Sequence, residues 1–335
     1  MPDLFAIFHR YFSGDEALCR LLRAEFEAVA LGAEVYPQDA DEALALWPLL
    51  PRTPARHMVH LPRHWDPLAS RDRDQVVGMA AVLAGRARGL VLHDAADWPE
   101  RAPEFAQAMA EVDGRLRVIP GRPGLFLEYA AGLAPARYAE LLESLAHLQT
   151  VSAGIDTGHV LIFGSRRHLA SRRPGLDAFA LSTEELVRLG PELATVGREA
   201  VEDLLTLVAR LVRLGKPLHF HLHDAHLLSR WSPFPVRDHR PFGEPVCVPG
   251  APPLPACLWP AGLKRLVQML RPLPDERLSL TLEIHPSAHM PRLALGPRSG
   301  LFAHWTDLTH AEATNAWAHL LVEQAGLLRG LWQAE

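Results

Sequence analysis

The chain has little cysteine: three residues in 335, Cys19, Cys247 and Cys257. An odd number leaves one thiol over and no CxxC pair is present, so neither a disulfide framework nor a thiolate zinc site is expected. Basic charge is not in excess either. The formal net charge of −5 excludes a global positive field for nucleic acid, while a local basic patch stays open. No apolar run has the length needed to cross a bilayer. The residues from Met1 to His9 carry neither the basic region nor the apolar stretch of a secretory signal, so a cytoplasmic protein without a membrane partner is the expectation. Internal repeats and low-complexity segments are also missing.

What is present in number is histidine, 18 copies, four of them between His219 and His226. High-GC codon usage would account for the count, as for the excess of Ala, Arg, Leu and Pro. Position has to decide. Short apolar runs alternate with helical patterns along the chain: Phe5–His9, Ala33–Tyr36, runs ending at Met58–His60 and Gly89–His93, then Leu125–Glu128, Val151–Asp156, Pro217–Leu222 and Leu278–Glu283. Between the first two, Ser13 to Glu16 has the form of a capping box and Leu18, Leu21, Leu22 and Phe26 recur at helical spacing. This alternation predicts parallel βα units, and eight of them predict an α/β fold, a (β/α)8 TIM barrel occupying residues 1–335 as a single domain. Two connections are long, 160–216 and the Pro-rich 224–277; insertions of about 160–195 and 226–262, after strands 6 and 7, are expected over the active-site mouth. Capping boxes at Ser182–Glu185 and Thr309–Glu312 begin helices, and a Gly-stopped helix is expected near 196–214.

Seven of the eight runs end in His, Asp or Glu: His9, His60, His93, Glu128, Asp156, His221 and Glu283. In a barrel of this type the strand C-termini share one face, where active sites are built. Imidazoles and carboxylates gathered there are what a divalent metal needs. Glu128 and Glu283 follow apolar runs, where an unpaired carboxylate is costly to bury. Asp156-Thr157-Gly158-His159 sets an imidazole three residues beyond a strand-end carboxylate, in a loop that turns back over the mouth. Strand alternation puts His219, His221 and His223 on one face; one would be a ligand, the others partners of ligands or barrel filling. His60, His93 and His9 taken singly also suit hydrogen-bonded barrel histidines. Asp238-His239, in a loop, would be solvated if met alone.

The motifs resemble those of the xylose isomerase-like barrel superfamily, and the ligand set is most similar to that of the endonuclease IV family (AP endonuclease family 2). The resemblance runs from about His9 to about Glu283 as short motifs: Leu127-Glu128-Tyr129-Ala130-Ala131-Gly132, Ile155-Asp156-Thr157-Gly158-His159, His221-Leu222-His223-Asp224, Val59-His60, Leu92-His93, Glu283, and His239 four residues before Gly243. It implies one metal on His60, His93 and Glu128, a second on Glu128, Asp156, His221 and Glu283, and a third on His159, His239 and an Asp two positions before that histidine. Arg237 stands at that last position here, with Asp238 adjacent. A third metal would have to use Asp238, or Arg237 would replace its charge.

Three chemistries stay open. Two or three divalent ions, zinc or manganese, would activate water against a phosphate ester, with Glu128 bridging ions or acting as base and Glu283 as a second catalytic carboxylate. Arg166, Arg167, Arg172 and Arg173, together with Arg237, offer phosphate contacts whose alternative is a solvated loop. Arg63 and Trp65 stand where an enzyme acting on damaged DNA could place a wedge, or where Trp65 packs on an insertion. Alternatively, one ion on Glu128, Asp156, His221 and Glu283 would serve a sugar or sugar-phosphate isomerase or epimerase; the acidic charge and Pro-rich lid suit such a small substrate. A multinuclear iron site would point to oxidation. The substrate expected is accordingly a small phosphorylated or sugar molecule, or damaged DNA.

Overall fold

A computed structural model describes residues 1–8, 16–130, 133–230, 236–248, 251–285 and 310–334. Eight strands, β1 (Asp3–Ile7), β2 (Gly32–Val35), β3 (His57–His60), β4 (Ala87–His93), β5 (Gly124–Tyr129), β6 (Val151–Asp156), β7 (Leu218–Leu222) and β8 (Leu278–Leu282), close into a parallel barrel in the order β1-β8-β7-β6-β5-β4-β3-β2. Helices α1 (Glu16–Ala28), α2 (Ala40–Leu46), α3 (Ser70–Val82), α4 (Ala102–Leu116) and α5 (Pro135–Ser144) alternate with the first six strands. Two helices, α6 (Thr157–Arg172) and α7 (Thr183–Arg213), follow β6; α8 (Ala261–Leu270) precedes β8, and α9 (His310–Gln333) comes after it. This is a (β/α)8 barrel with long connections after β6 and β7. The run expected to end in His9 ends as a strand at Ile7; His9, and the capping box from Ser13, lie outside the described residues, as does Thr309.

By internal packing the chain divides into two compact units. The first comprises Met1–Asp156, Ala209–His221 and Leu273–Leu282 and carries the barrel strands. The second comprises Thr157–Val208, Leu222–Pro272 and Glu283–Glu335. Among the described residues, no helix is long and apolar enough to cross a membrane.

Period-two alternation sets what the barrel encloses. Phe5, Met58, Val91 and Phe126 pack into one buried cluster. Two residues on from three of these, on the same strand faces, come His60, His93 and Glu128. The strands therefore present a lipophilic layer first and a polar layer at their C-terminal ends. In the second unit, Leu169 of α6 packs with Leu186, Leu189, Leu193 and Val196 of α7. There the capping box is formed: Glu185 N–H donates to Ser182 Oγ (3.2 Å) and Ser182 N–H to Glu185 Oε2 (2.8 Å). The helix that starts at that box runs through Pro191 without a break, so the two helical pieces expected from the sequence are one.

His57 couples barrel stability to pH. Ala33 N–H donates to His57 Nδ1 (3.2 Å), which requires a bare nitrogen there. Burial lowers the pKa from 6.5 to about 4, against a partly opposing hydrogen bond to the Pro51 carbonyl. A histidine depressed on folding contributes stability that is complete above its unfolded pKa and is lost as pH falls from about 6.5 toward about 4. At 1.36 kcal/mol per pH unit, acidifying from pH 7 to pH 5 removes about 2 kcal/mol through this residue. Urea melts at the two pH values should show that loss in the native chain and a correspondingly smaller one in His57→Gln. Equal losses in both would refute the assignment.

Candidate metal centre

In the first unit the ends of β3, β4, β5 and β7 converge on one carboxylate, Glu128, which is 2% exposed. The strand register sets His93 beside Glu128 and Asp156 beside His221. Glu128 Oε2 lies 2.9 Å from His60 Nε2 and 3.1 Å from His93 Nε2. Its other oxygen, Oε1, lies 2.9 Å from His221 Nδ1. The two oxygens of one carboxylate thus serve two separate sets of donors: His60, His93 and Glu128 on one side, Glu128, Asp156 and His221 on the other, each with its candidate ligand atoms within 4.8 Å of one another. Either set could hold a metal ion.

Hydrogen-bond partners fix the tautomers. The Leu61 carbonyl, 2.9 Å from His60 Nδ1, can only accept, so the proton is there and a neutral His60 turns a bare Nε2 toward Glu128. Arg63 Nε–H, 3.0 Å from His93 Nδ1, can only donate, so a neutral His93 carries its proton on Nε2, which lies 3.0 Å from His60 Nε2. One proton therefore sits among three lone-pair atoms of the kind that bind cations. The donor set fits a metal ion, provided Arg63, an exposed side chain, releases Nδ1. Burial lowers the His93 pKa, with His60 and Arg63 adding repulsion and Glu128 opposing. For Glu128 burial works upward, but His221 and His93 overcome it and hold the carboxyl well below its usual range. Both shifts favour deprotonated, ligating forms.

The Arg63 contact carries a prediction. Removing it in Arg63→Ala frees the His93 tautomer and deletes a nearby positive charge, so zinc should bind this set roughly tenfold tighter, within the range for groups that act through a ligand. Competition with a chromophoric chelator measures it; unchanged affinity would mean that Arg63 does not gate the ring.

Glu34, which is not among the strand-end residues, joins the site as well. It stands on β2, fully buried, and accepts from Thr281 Oγ1 (2.5 Å), from His221 Nε2 (2.8 Å) and from His219 Nε2 (3.2 Å). Burial pushes its pKa up, yet His221 and His219 more than compensate and keep it ionised. Glu34 holds the far nitrogen of His221, leaving Nδ1 toward Glu128, a carboxylate–imidazole arrangement that raises ligand basicity. Glu34, His219 and His221 also form a third set with metal-ligand spacing. The signal was available: a carboxylate inside Gly-Ala-Glu-Val is as costly to bury as Glu128.

In the second unit, His159 is not in a loop. α6 begins at Thr157, directly after β6, and His159 occupies its first turn, 9% exposed. His159 Nε2 lies 3.1 Å from Asp238 Oδ2, and His159, Asp238 and His239 have ligand atoms within 4.8 Å of one another. Asp238, not the residue before it, thus supplies the carboxylate beside His239. His239 Nε2 lies 3.4 Å from Glu283 Oε2, and the His239 ring stacks between those of His223 (4.2 Å) and His285 (3.9 Å). His223 donates through Nδ1 to the Asp224 carbonyl (3.1 Å), and its ring fills the space above Gly158, where a Cβ would come within 1.9 Å of it. Burial works against ionised Asp238, but His239, His159 and His223 hold its pKa well below the ordinary value.

The remaining residues are spoken for by the protein itself. Asp224 accepts from the backbone N–H groups of Ala225, Leu258 and Trp259, anchoring the Pro-rich connection. Arg166 donates to the carbonyls of Leu227 and Ser229 and covers the Phe179 ring. Arg167, Arg172 and Arg173 pair with Asp203, Glu199 and Glu192. Trp65 is buried, 4% exposed, and so does not protrude as a wedge. Arg237 lies in a two-residue strand, Val236–Arg237; its side chain is outside the described set. No family model matches the chain, and no curated protein matches it.

Proposed function

We propose that the protein is a divalent-metal-dependent hydrolase of a phosphate ester, with the ions, zinc or manganese, held by the strand-end histidines and carboxylates. One observation carries this reading: the two oxygens of Glu128 face two different donor sets, the disposition of a carboxylate shared between neighbouring cations. When bound, such cations supply Lewis acidity toward phosphate oxygens and toward an attacking water. The chain's own residues prepare for this. His60 keeps Nε2 bare by donating from Nδ1 to Leu61; Glu34 orients His221; burial around Glu128 excludes bulk water and strengthens every charge contact there. The resemblance to the endonuclease IV family makes an abasic site in duplex DNA the first macromolecular substrate to try, beside small phosphodiesters.

The Arg63–His93 contact favours a second reading. If Arg63 keeps His93 from ligating, a single ion would remain, on the Glu128, Asp156 and His221 side, the complement of a sugar or sugar-phosphate isomerase. Elemental analysis of chelator-free protein separates the two, followed by assays on bis(p-nitrophenyl) phosphate and an abasic oligonucleotide. Two or three ions per chain with cleavage is the expected result. Full metal loading without cleavage of either substrate would sink the hydrolase. One ion per chain with solvent deuterium entering a ketose would establish the isomerase.

A further inference from the structure

The opposite ends of the barrel strands carry a second site-like feature, wholly within the first unit. A cavity of about 310 Å³ opens there, lined by Arg56, Arg88, Arg117, Arg122 and Arg277 and by one carboxylate residue, Glu276. Its lining includes Gly124 and Ser279, near the starts of β5 and β8, and Phe126 of the barrel core. The volume sits at the lower end of the range for small-molecule sites.

Five guanidinium groups around one small space repel one another, and the local anions do not balance them. Arg88 is paired with Asp3, and Arg117 Nε lies 3.4 Å from Asp113, a carboxylate that also takes the N–H groups of Gln149 and Thr150. The other three have no carboxylate partner among the described residues. Arg56 donates to the Gly121 carbonyl (3.2 Å) and Arg277 to the Lys216 carbonyl (3.1 Å). Arg277 Nε is buried with no hydrogen-bond partner among the described residues. Arg122 sits at φ 42°, in the left-handed region beside Gly121 at 84°, a turn that no ionic contact of its side chain explains. Arg88 and Arg277 tie strand starts together through backbone carbonyls, which is a structural duty; among the described residues the Arg122 side chain has no such bond. Burial, and after it repulsion from Arg56, lowers the Arg88 pKa although Asp3 opposes, as expected of a cation held among cations.

We infer that this cavity binds a small molecule carrying a diphosphate group, free or as part of a nucleotide, through Arg56, Arg122 and Arg277. Guanidinium forks match phosphate oxygens in planar pairs of hydrogen bonds, and two adjacent phosphates answer three unbalanced cations. A space of this size does not admit a nucleic acid duplex. The site is separate from the candidate metal residues of the first unit, which stand at the other ends of the same strands.

Calorimetric titration of the full-length protein at low ionic strength tests it, with inorganic pyrophosphate and ADP as separate probes. Saturable one-to-one binding is expected, weakened at least tenfold in Arg56→Ala/Arg122→Ala and retained in Glu128→Gln. Should the double variant fold poorly, Arg122→Ala alone, which removes no side-chain hydrogen bond or ion pair among the described residues, is expected to weaken binding several-fold. Tighter binding of ADP than of pyrophosphate would identify the nucleotide as the source, and equal affinity the phosphates alone; either supports the site. No saturable binding of either probe would overturn the inference. So would binding lost in Glu128→Gln but kept in the arginine variants, which would place the anion with the metal residues.

Discussion

Replacing Glu128 by Gln is expected to lower phosphoester cleavage by roughly 10³-fold or more, about 4 kcal/mol of transition-state stabilisation, and to reduce the bound metal by at least one ion per chain. The substitution keeps the shape and removes the charge. An amide has one acceptor oxygen, and its NH₂ group must now face either His60 and His93 or His221 (one side at 2.9 and 3.1 Å, the other at 2.9 Å in the native chain). Whichever way it turns, its NH₂ group replaces an acceptor oxygen on one side, and both sets lose the anion they share. Folding should survive, because Glu34 still holds His221 and His219 from below. A loss of about 1–3 kcal/mol for disturbing the buried hydrogen bonds is the expected structural cost. Elemental analysis, a melt in chelator and the cleavage assay separate the outcomes. A variant that keeps its metal count and its activity would show that Glu128 bridges nothing.

The barrel was legible because both of its signals are local. Each strand is a short apolar run, and the residue type at its end breaks the pattern at the mouth; His60, His93, Glu128, Asp156 and His221 are such ends, and the register brings their neighbours side by side. What the pattern could not carry was decided by tertiary packing. Thr157-Gly158 reads as a turn, yet a helix begins there, and Gly158 is needed because the His223 ring takes the space of its Cβ. The capping box at Ser182 and the stretch 196–214 read as two helices, yet α7 runs on through Pro191; the apolar face from Leu186 to Val196, packed against Leu169, outweighs the local cost of the proline. The arginines after Asp156 looked like a phosphate-binding group by composition alone, but charge pattern does not reveal partners: Asp203, Glu199 and Glu192 lie 19 to 36 positions away in sequence. Glu34 escaped for a different reason. Seven runs end in a ligand type, whereas the eighth, Ala33–Tyr36, carries its carboxylate in the interior, where the strand-end pattern does not point to it.

Asp238→Asn should remove metal from the His159, Asp238 and His239 set, with affinity down at least 100-fold, more than the change seen when a group merely supporting a ligand is removed. Three imidazoles surround this carboxylate: His159 at 3.1 Å, His239 at 3.7 Å and His223 at 3.9 Å. Their attraction overcomes burial and keeps it ionised. With Asn the anion is gone, while Oδ1 can still accept from His239 N–H, a 2.8 Å bond in the native chain, so the left-handed backbone of His239 (φ 56°) is retained. The effect is therefore electrostatic and chemical, not a collapse of the loop. The pH behaviour follows with the same sign. A carboxyl depressed on folding contributes stability present above its unfolded pKa, near 3.9, and lost as pH falls below it. Metal-free native protein should accordingly be more stable than Asp238→Asn at neutral pH and lose that advantage on acidification through that range. Metal counts then discriminate: one ion fewer per chain in Asp238→Asn, with Arg237→Ala unchanged, would show that Asp238 has taken the place that the resemblance gives to the residue before it. A full complement in Asp238→Asn would remove this set from the metal centre and leave His159 and His239 as hydrogen-bonded histidines of the second unit.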